Sequence, residues 1–206
     1  MTRTSRSFAG LPPHGSGQAI GLMGGTFNPP HEGHRRISEL ALRRLGLDRL
    51  WWMVTPGNPL KDTVGLAPLD ARMRRAADMA SDPRIFVSGA EQVFATRYTA
   101  DFIAIVKARA PAVLFVWVMG SDNLAQFHQW EDWRRIADAV PIAVINRPGH
   151  LAAGLSSRAA QALARHRVDE ADARSLASRA PPCWAFITGP RSAASSTALR
   201  SLAGTS

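Results

Sequence analysis

Ala19-Ile20-Gly21-Leu22-Met23-Gly24-Gly25-Thr26-Phe27-Asn28-Pro29-Pro30-His31-Glu32-Gly33-His34 is the stretch from which the fold is read. Its first five residues form a short apolar run that stops at two glycines, the pattern of a buried strand ended by a turn. Beyond it, over residues 31–45, Ile37, Leu40, Ala41 and Leu45 mark one face of a helix. A strand, a glycine turn and a helix with two histidines in its first turn make the layout of a polyphosphate site. Gly24 and Gly25 lack a Cβ, so the backbone can come close to a ligand. Pro29 and Pro30 suit a helix start, where the missing N–H would have had no partner. The helix N-terminus offers free N–H groups and a partial positive charge to an anion. His31 and His34 are spaced to face the same way and can donate directional hydrogen bonds to phosphate oxygens. An ordinary loop and half of a metal site are the competing readings. A metal is disfavoured by a single cysteine and by His14, His128, His150 and His166, which show no paired ligand spacing. The segment is neither G-x-x-x-x-G-K-[ST] nor G-x-G-x-x-G.

Outward from this motif, apolar runs alternate with helical patterns. Strands are predicted over 20–23, 50–54, 85–87, 113–119, 142–145 and 184–188, helices over 31–45, 68–80, 99–110 and 130–139, and one or two helices over 151–178. Such alternation predicts a doubly wound parallel sheet covered on both faces, an α/β domain. Residues 19–206 read as one domain. Residues 1–18, rich in Arg, Ser, Gly and Pro, read as a disordered tail. In open sheets of this kind, ligands sit beyond the carboxyl ends of the strands. Gly24-Gly25, the 56–61 segment, Gly120-Ser121-Asp122, Arg147-Pro148-Gly149 and Ser195-Ser196-Thr197 all follow predicted strands, which points to one shared crevice.

The chain has 206 residues, 46% of them hydrophobic and 20% charged, which suits a globular protein with one sizeable core. No apolar run approaches the length needed to cross a bilayer, and the first 18 residues lack a secretory apolar core. The lone Cys183 precludes an internal disulfide and fits a reducing cytoplasm. A formal charge of +9 raises nucleic-acid binding. The arginines, however, are scattered through helical stretches such as Arg35-Arg36, Arg43-Arg44, Arg72 to Arg75 and Arg134-Arg135, as on solvated faces. A positive field would still gather polyanionic small molecules.

The segment from Gly24 to His34 resembles the signature G-x-F-[DN]-P-x-H-x-G-H of the HxGH nucleotidyltransferase superfamily. Ala194-Ser195-Ser196-Thr197-Ala198-Leu199-Arg200 is similar to its second signature, I-S-S-T-x-x-R. Asn28 stands where Asp is commoner, and Ala194 where Ile is usual. Within the superfamily the chain most resembles the bacterial nicotinate-nucleotide adenylyltransferases, through Pro56-Gly57-Asn58-Pro59-Leu60-Lys61, Arg97-Tyr98-Thr99, Val118 to Asp122, Trp130 to Trp133 and Arg147-Pro148-Gly149.

The resemblance implies a Rossmann-like fold and a cytoplasmic enzyme joining ATP to nicotinic acid mononucleotide, with magnesium (Mg2+) on the phosphates. His31, His34, Lys61 and Arg200 would stabilise charge on the reacting phosphates. Gly24, Gly25, Thr26, Phe27, Gly120, Asp122, Ser195, Ser196 and Thr197 would hold ATP. Tyr98 and Thr99 would offer backbone N–H groups to the ring carboxylate. Trp130 would stack on the pyridine ring, with Trp133 in the core, and Arg147 would pair with the mononucleotide phosphate. No protein metal site, nucleic acid or membrane is expected, and a homo-oligomer stays open. Nicotinamide mononucleotide, phosphopantetheine and a non-catalytic nucleotide-binding role are the alternatives.

Overall fold

The computed structural model describes residues 7–57, 65–147 and 151–188. Among these, eight strands form a single sheet: β1 (Ser7–Phe8), β2 (Ala19–Gly25), β3 (Arg49–Val54), β4 (Ile85–Ser88), β5 (Leu114–Gly120), β6 (Ile142–Ile145), β7 (Arg167–Val168) and β8 (Trp184–Ile187). Their order is β1-β4-β3-β2-β5-β6-β8-β7, and every pairing is parallel. The chain moves outward from β2 through β3 to β4, then returns to place β5 on the other side of β2. That reversal opens a crevice beyond the carboxyl ends of β2 and β5. Gly24-Gly25 and Gly120 lie there.

The alternation along each strand sends side chains to two covered faces. On one face Trp51, Leu22, Trp117, Ile142 and Trp184 stand in register across five strands. Helix α4 (Thr99–Arg109) covers them with Phe102, Ile103 and Val106. The opposite face, with Met23, Trp52 and Val118, is covered by α1 (Glu32–Arg44) and α2 (Leu69–Met79) through Ile37, Ala41, Leu42 and Ala76. Both faces being buried explains why these strands read as continuous apolar runs.

Three expectations change. Residues 7–18 do not behave as a free tail. β1 extends the sheet beside β4, Ser88 Oγ donates to the carbonyl of Gly10 at 2.7 Å, and Leu11 packs on the core. Backbone pairing, which composition does not register, anchors this segment. The helix expected over 130–139 begins only at Trp133, as α6 (Trp133–Ala139), because Asp132 takes a left-handed φ of 50°. The stretch 151–178, expected as one or two helices, divides further into α7 (Leu151–Leu155), α8 (Arg158–Ala162), a 3-10 turn, strand β7 and a 3-10 helix over Glu170–Ser178. The Ser157 side chain caps α8 by accepting from the N–H of Ala160, a local hydrogen bond that competes with helix continuation. Two short helices were not foreseen: α3 (Ala90–Val93) and α5 (Ser121–Gln126).

Gly24 is glycine for a steric reason. A Cβ there would lie 2.9 Å from Cη2 of Trp117, an indole that is 2% exposed. Gly24→Ala is therefore expected to cost about 2 kcal/mol by overpacking. A thermal melt should read this as a fall in Tm of about 4 to 8 °C. An unchanged Tm would mean that the ring yields freely.

Candidate active site

Helix α1 starts at Glu32 with His31 as its N-cap, so Pro29 and Pro30 precede the helix instead of occupying its first turn. The backbone N–H of His31 donates to Nδ1 of His34 at 3.2 Å. An accepting Nδ1 is unprotonated, so a neutral His34 carries its proton on Nε2 and offers that N–H as a donor. The two imidazole centroids are 3.8 Å apart. His34 also leans on the Phe27 ring at 4.6 Å, and Phe27 stacks on Trp52 at 5.0 Å. Trp52 Nε1 donates to Ser38 Oγ at 2.7 Å, and Ser38 donates to the carbonyl of His34 at 2.8 Å. The sheet thus holds the first turns of α1 through a buried chain of hydrogen bonds.

His31 is buried, and its pKa falls to about 4, first through loss of solvent, then through the positive charge of Arg147, with Asp122 opposing. It is a neutral imidazole at physiological pH. Its Nδ1 is buried without a hydrogen-bond partner among the described residues. Arg147 and Asp122 act on this ring through their charges, and α1 packs against β6.

Arg147 and Asp122 themselves form an ion pair at 2.9 Å, and the Arg147 N–H donates to Ser121 Oγ at 2.9 Å. Gly120 makes room for the pair. A Cβ there would sit 2.3 Å from Asp122 Oδ1 and 2.9 Å from Arg147 Cδ. The residue expected to take a phosphate is thus held by a carboxylate in this structure, the Asp122 side chain of the first turn of α5.

On the first face, Trp130 follows a 3-10 turn and meets Phe127 and Trp117 edge-on at 5.4 and 6.2 Å. It is half-buried, whereas Trp133 is 7% exposed and belongs to the core, as expected. Tyr98 is the N-cap of α4 and Thr99 its first residue, so N–H groups of that first turn lack helical partners. His31, His34, Asp122 and Arg147 are therefore brought together, beside the loop of Gly24 to Phe27. Lys61, Ser195, Ser196, Thr197 and Arg200 lie outside the described residues.

Sequence reasoning missed two buried charged groups behind this loop. Arg72 on α2 is 2% exposed, not part of a solvated arginine face. It shares a helical stripe with Leu69, Met73 and Ala76, the signal that could have revealed it. Its guanidinium donates to the carbonyls of Thr26 (2.8 Å), Thr55 (2.7 Å), Pro56 (3.2 Å) and Ala67 (2.7 Å). Glu91 on α3 is buried, and its carboxyl is pushed up to about 7 by loss of solvent, with a hydrogen bond from the Thr55 side chain pulling the other way.

Among the described residues, no three His, Cys, Asp or Glu side chains converge as a metal site. No helix among them is long and apolar enough to cross a membrane.

The cytidylyltransferase-like family profile matches residues 22–202. A Brucella abortus protein named "Probable nicotinate-nucleotide adenylyltransferase" is 58% identical over 88% of this chain and 93% of its own length. A Rhizobium meliloti protein of the same name is 57% identical over 89% of this chain and 97% of its own. The structure of Plasmodium falciparum nicotinic acid mononucleotide adenylyltransferase complexed with APC shares the fold, with a TM-score of 0.65 at 16% identity, over 89% of this chain and 83% of that one. By sequence and by fold, the chain belongs to the cytidylyltransferase-like nucleotidyltransferases, with the nicotinate-nucleotide adenylyltransferases as its relatives.

Proposed function

We propose that this enzyme joins ATP and nicotinic acid mononucleotide to give deamido-NAD and pyrophosphate. The observation that carries the reading is the closely apposed His31–His34 pair at the switch point of the sheet, with His34 held as an Nε2–H donor beside the Gly24–Phe27 loop. The identity to relatives of that name along nearly the whole chain supports the choice of mononucleotide.

A 5′-phosphate oxygen of the mononucleotide attacks the α-phosphorus of ATP, and the bond from that phosphorus to the pyrophosphate oxygen breaks. The attacking oxygen is already ionised, so no protein nucleophile or general base is needed. Catalysis is then positioning and charge stabilisation. His34 donates through Nε2–H to the phosphates, and neutral His31 adds a second N–H. The free N–H groups of Thr26 and Phe27 contribute with Gly24 and Gly25. Lys61, Arg200 and the Ser195-Ser196-Thr197 segment complete the ATP side. Gly120 and Asp122 lie between the nucleotides, and the incoming mononucleotide phosphate takes Arg147 from Asp122. Thr99 N–H and the Tyr98 segment meet the ring carboxylate while Trp130 stacks on the pyridine. Enzymes of this family generally use a divalent metal with ATP. Such a metal, magnesium in this proposal, would supply positive charge to the phosphates of the bound nucleotide. We place the enzyme in the cytoplasm.

Pyrophosphate release from purified protein with ATP and magnesium is the test. Nicotinic acid mononucleotide should release it far faster than nicotinamide mononucleotide or phosphopantetheine does. Faster release with either of the others would overturn the substrate, and none with any would overturn the activity.

A further inference from the structure

We infer that Arg72 is a positioning residue for the phosphate-binding loop, a role that rests on the adenylyl-transfer reading of the same site. Its guanidinium is buried against four carbonyl oxygens, and among the described residues no carboxylate pairs with it. A charge kept from water without a counter-ion is costly unless hydrogen bonds satisfy it. The fixed fork of an arginine can meet several acceptors in different directions, which a lysine cannot do.

The acceptors are not scattered. Thr26 belongs to the loop after β2. Thr55 and Pro56 follow β3, where the segment leading to Lys61 begins. Ala67 leads into α2. One side chain therefore ties three stretches of backbone into one arrangement.

The consequence for ligand binding follows from the peptide group. In a trans peptide, C=O and N–H point in opposite directions. Arg72 holds the Thr26 carbonyl inward, so the Phe27 N–H of the same peptide points away from α2. The neighbouring carbonyl, Gly25, accepts from the Thr55 N–H at 3.0 Å, which turns the Thr26 N–H away from β3. Neither N–H has a partner among the described residues. Phe27 also holds a left-handed φ of 47°, a conformation disfavoured for an aromatic residue that must be imposed by its surroundings. Its ring is fixed in the core on one side, and Arg72 fixes the preceding carbonyl on the other. The cation thus acts through the backbone: it aims two donors and adds positive potential behind them.

Arg72→Lys and Arg72→Gln, with folding followed by circular dichroism, are the variants to make. Per folded molecule, both should lose kcat/KM for ATP by about 30-fold or more, with a raised KM for ATP. Inorganic tripolyphosphate, which needs no turnover, should bind either variant at least about tenfold more weakly than wild type by calorimetry. A lowered Tm with tripolyphosphate affinity, KM and kcat per folded molecule within about twofold of wild type would reduce Arg72 to a structural residue. Should neither variant fold, the amide resonances of Thr26 and Phe27 in the wild-type protein decide the matter. They should shift on addition of tripolyphosphate, and unmoved resonances would overturn the proposal. A wild type that binds tripolyphosphate without turning over any mononucleotide would sink the adenylyl-transfer reading and leave the Arg72 comparison intact.

Discussion

His34→Ala should lower kcat by about a hundredfold or more, equivalent to about 2.7 kcal/mol of lost transition-state stabilisation. Its imidazole is locked as an Nε2–H donor by the His31 N–H and braced by Phe27, and Trp52 and Ser38 hold its backbone. Those braces stay in the variant, so the fold should survive with a Tm close to wild type. Because the lost donor serves charge that grows on the phosphates during transfer, kcat should fall more than KM rises. Steady-state pyrophosphate release over a range of ATP concentrations checks this. Turnover like that of wild type would remove His34 from the chemistry.

Glu91→Gln should be stabilising, and only toward alkaline pH. In the unfolded chain the carboxyl ionises near its ordinary 4.5, whereas in the fold it holds its proton to about 7. Between those values the folded state binds a proton that the unfolded state has released. Stability associated with this group is therefore complete below about 4.5 and lost as pH rises through about 7. The shift corresponds to about 3 kcal/mol. Glutamine keeps a polar group beside Thr55 and never ionises. Variant and wild type should melt within a degree or two of each other at about pH 4.5, and the variant should melt about 6 to 12 °C higher at about pH 8. A Tm difference that is the same at both pH values would show that Glu91 ionises without penalty. The site gives this residue wider interest, because its partner Thr55 also accepts from Arg72 and donates its N–H to Gly25.

How legible these features were from sequence differs by kind. The strands from β2 to β6 and β8, and the helices α1, α2 and α4, emerge within a residue or two of their predicted bounds. Each is an unbroken apolar or amphipathic stretch, and burial imposes its period on the residues directly. The segment after Leu151 failed because its four-residue spacing of Leu155, Ala159 and Leu163 looks helical. A serine cap and two 3-10 stretches, each held by local hydrogen bonds, interrupt it. β1 failed for the opposite reason: two residues pairing with a distant edge carry no period at all.

The sequence by itself determined the doubly wound parallel sheet, the glycines that end β2, and the two histidines set side by side where the next helix begins, although Gly24 and Gly25 prove to be the last strand residues and His31 the N-cap. All of these depend on contacts within a single strand–turn–helix unit, or on periods that a solvent boundary writes into neighbouring residues. Only the tertiary structure decided that Arg147 lies against Asp122, that Arg72 is buried behind Thr26, and that Glu91 holds its proton. Those outcomes depend on which strand ends the topology makes adjacent and on how much water reaches each charge there. A side chain's ionisation and partners are set by that three-dimensional neighbourhood, and residue spacing carries no record of it.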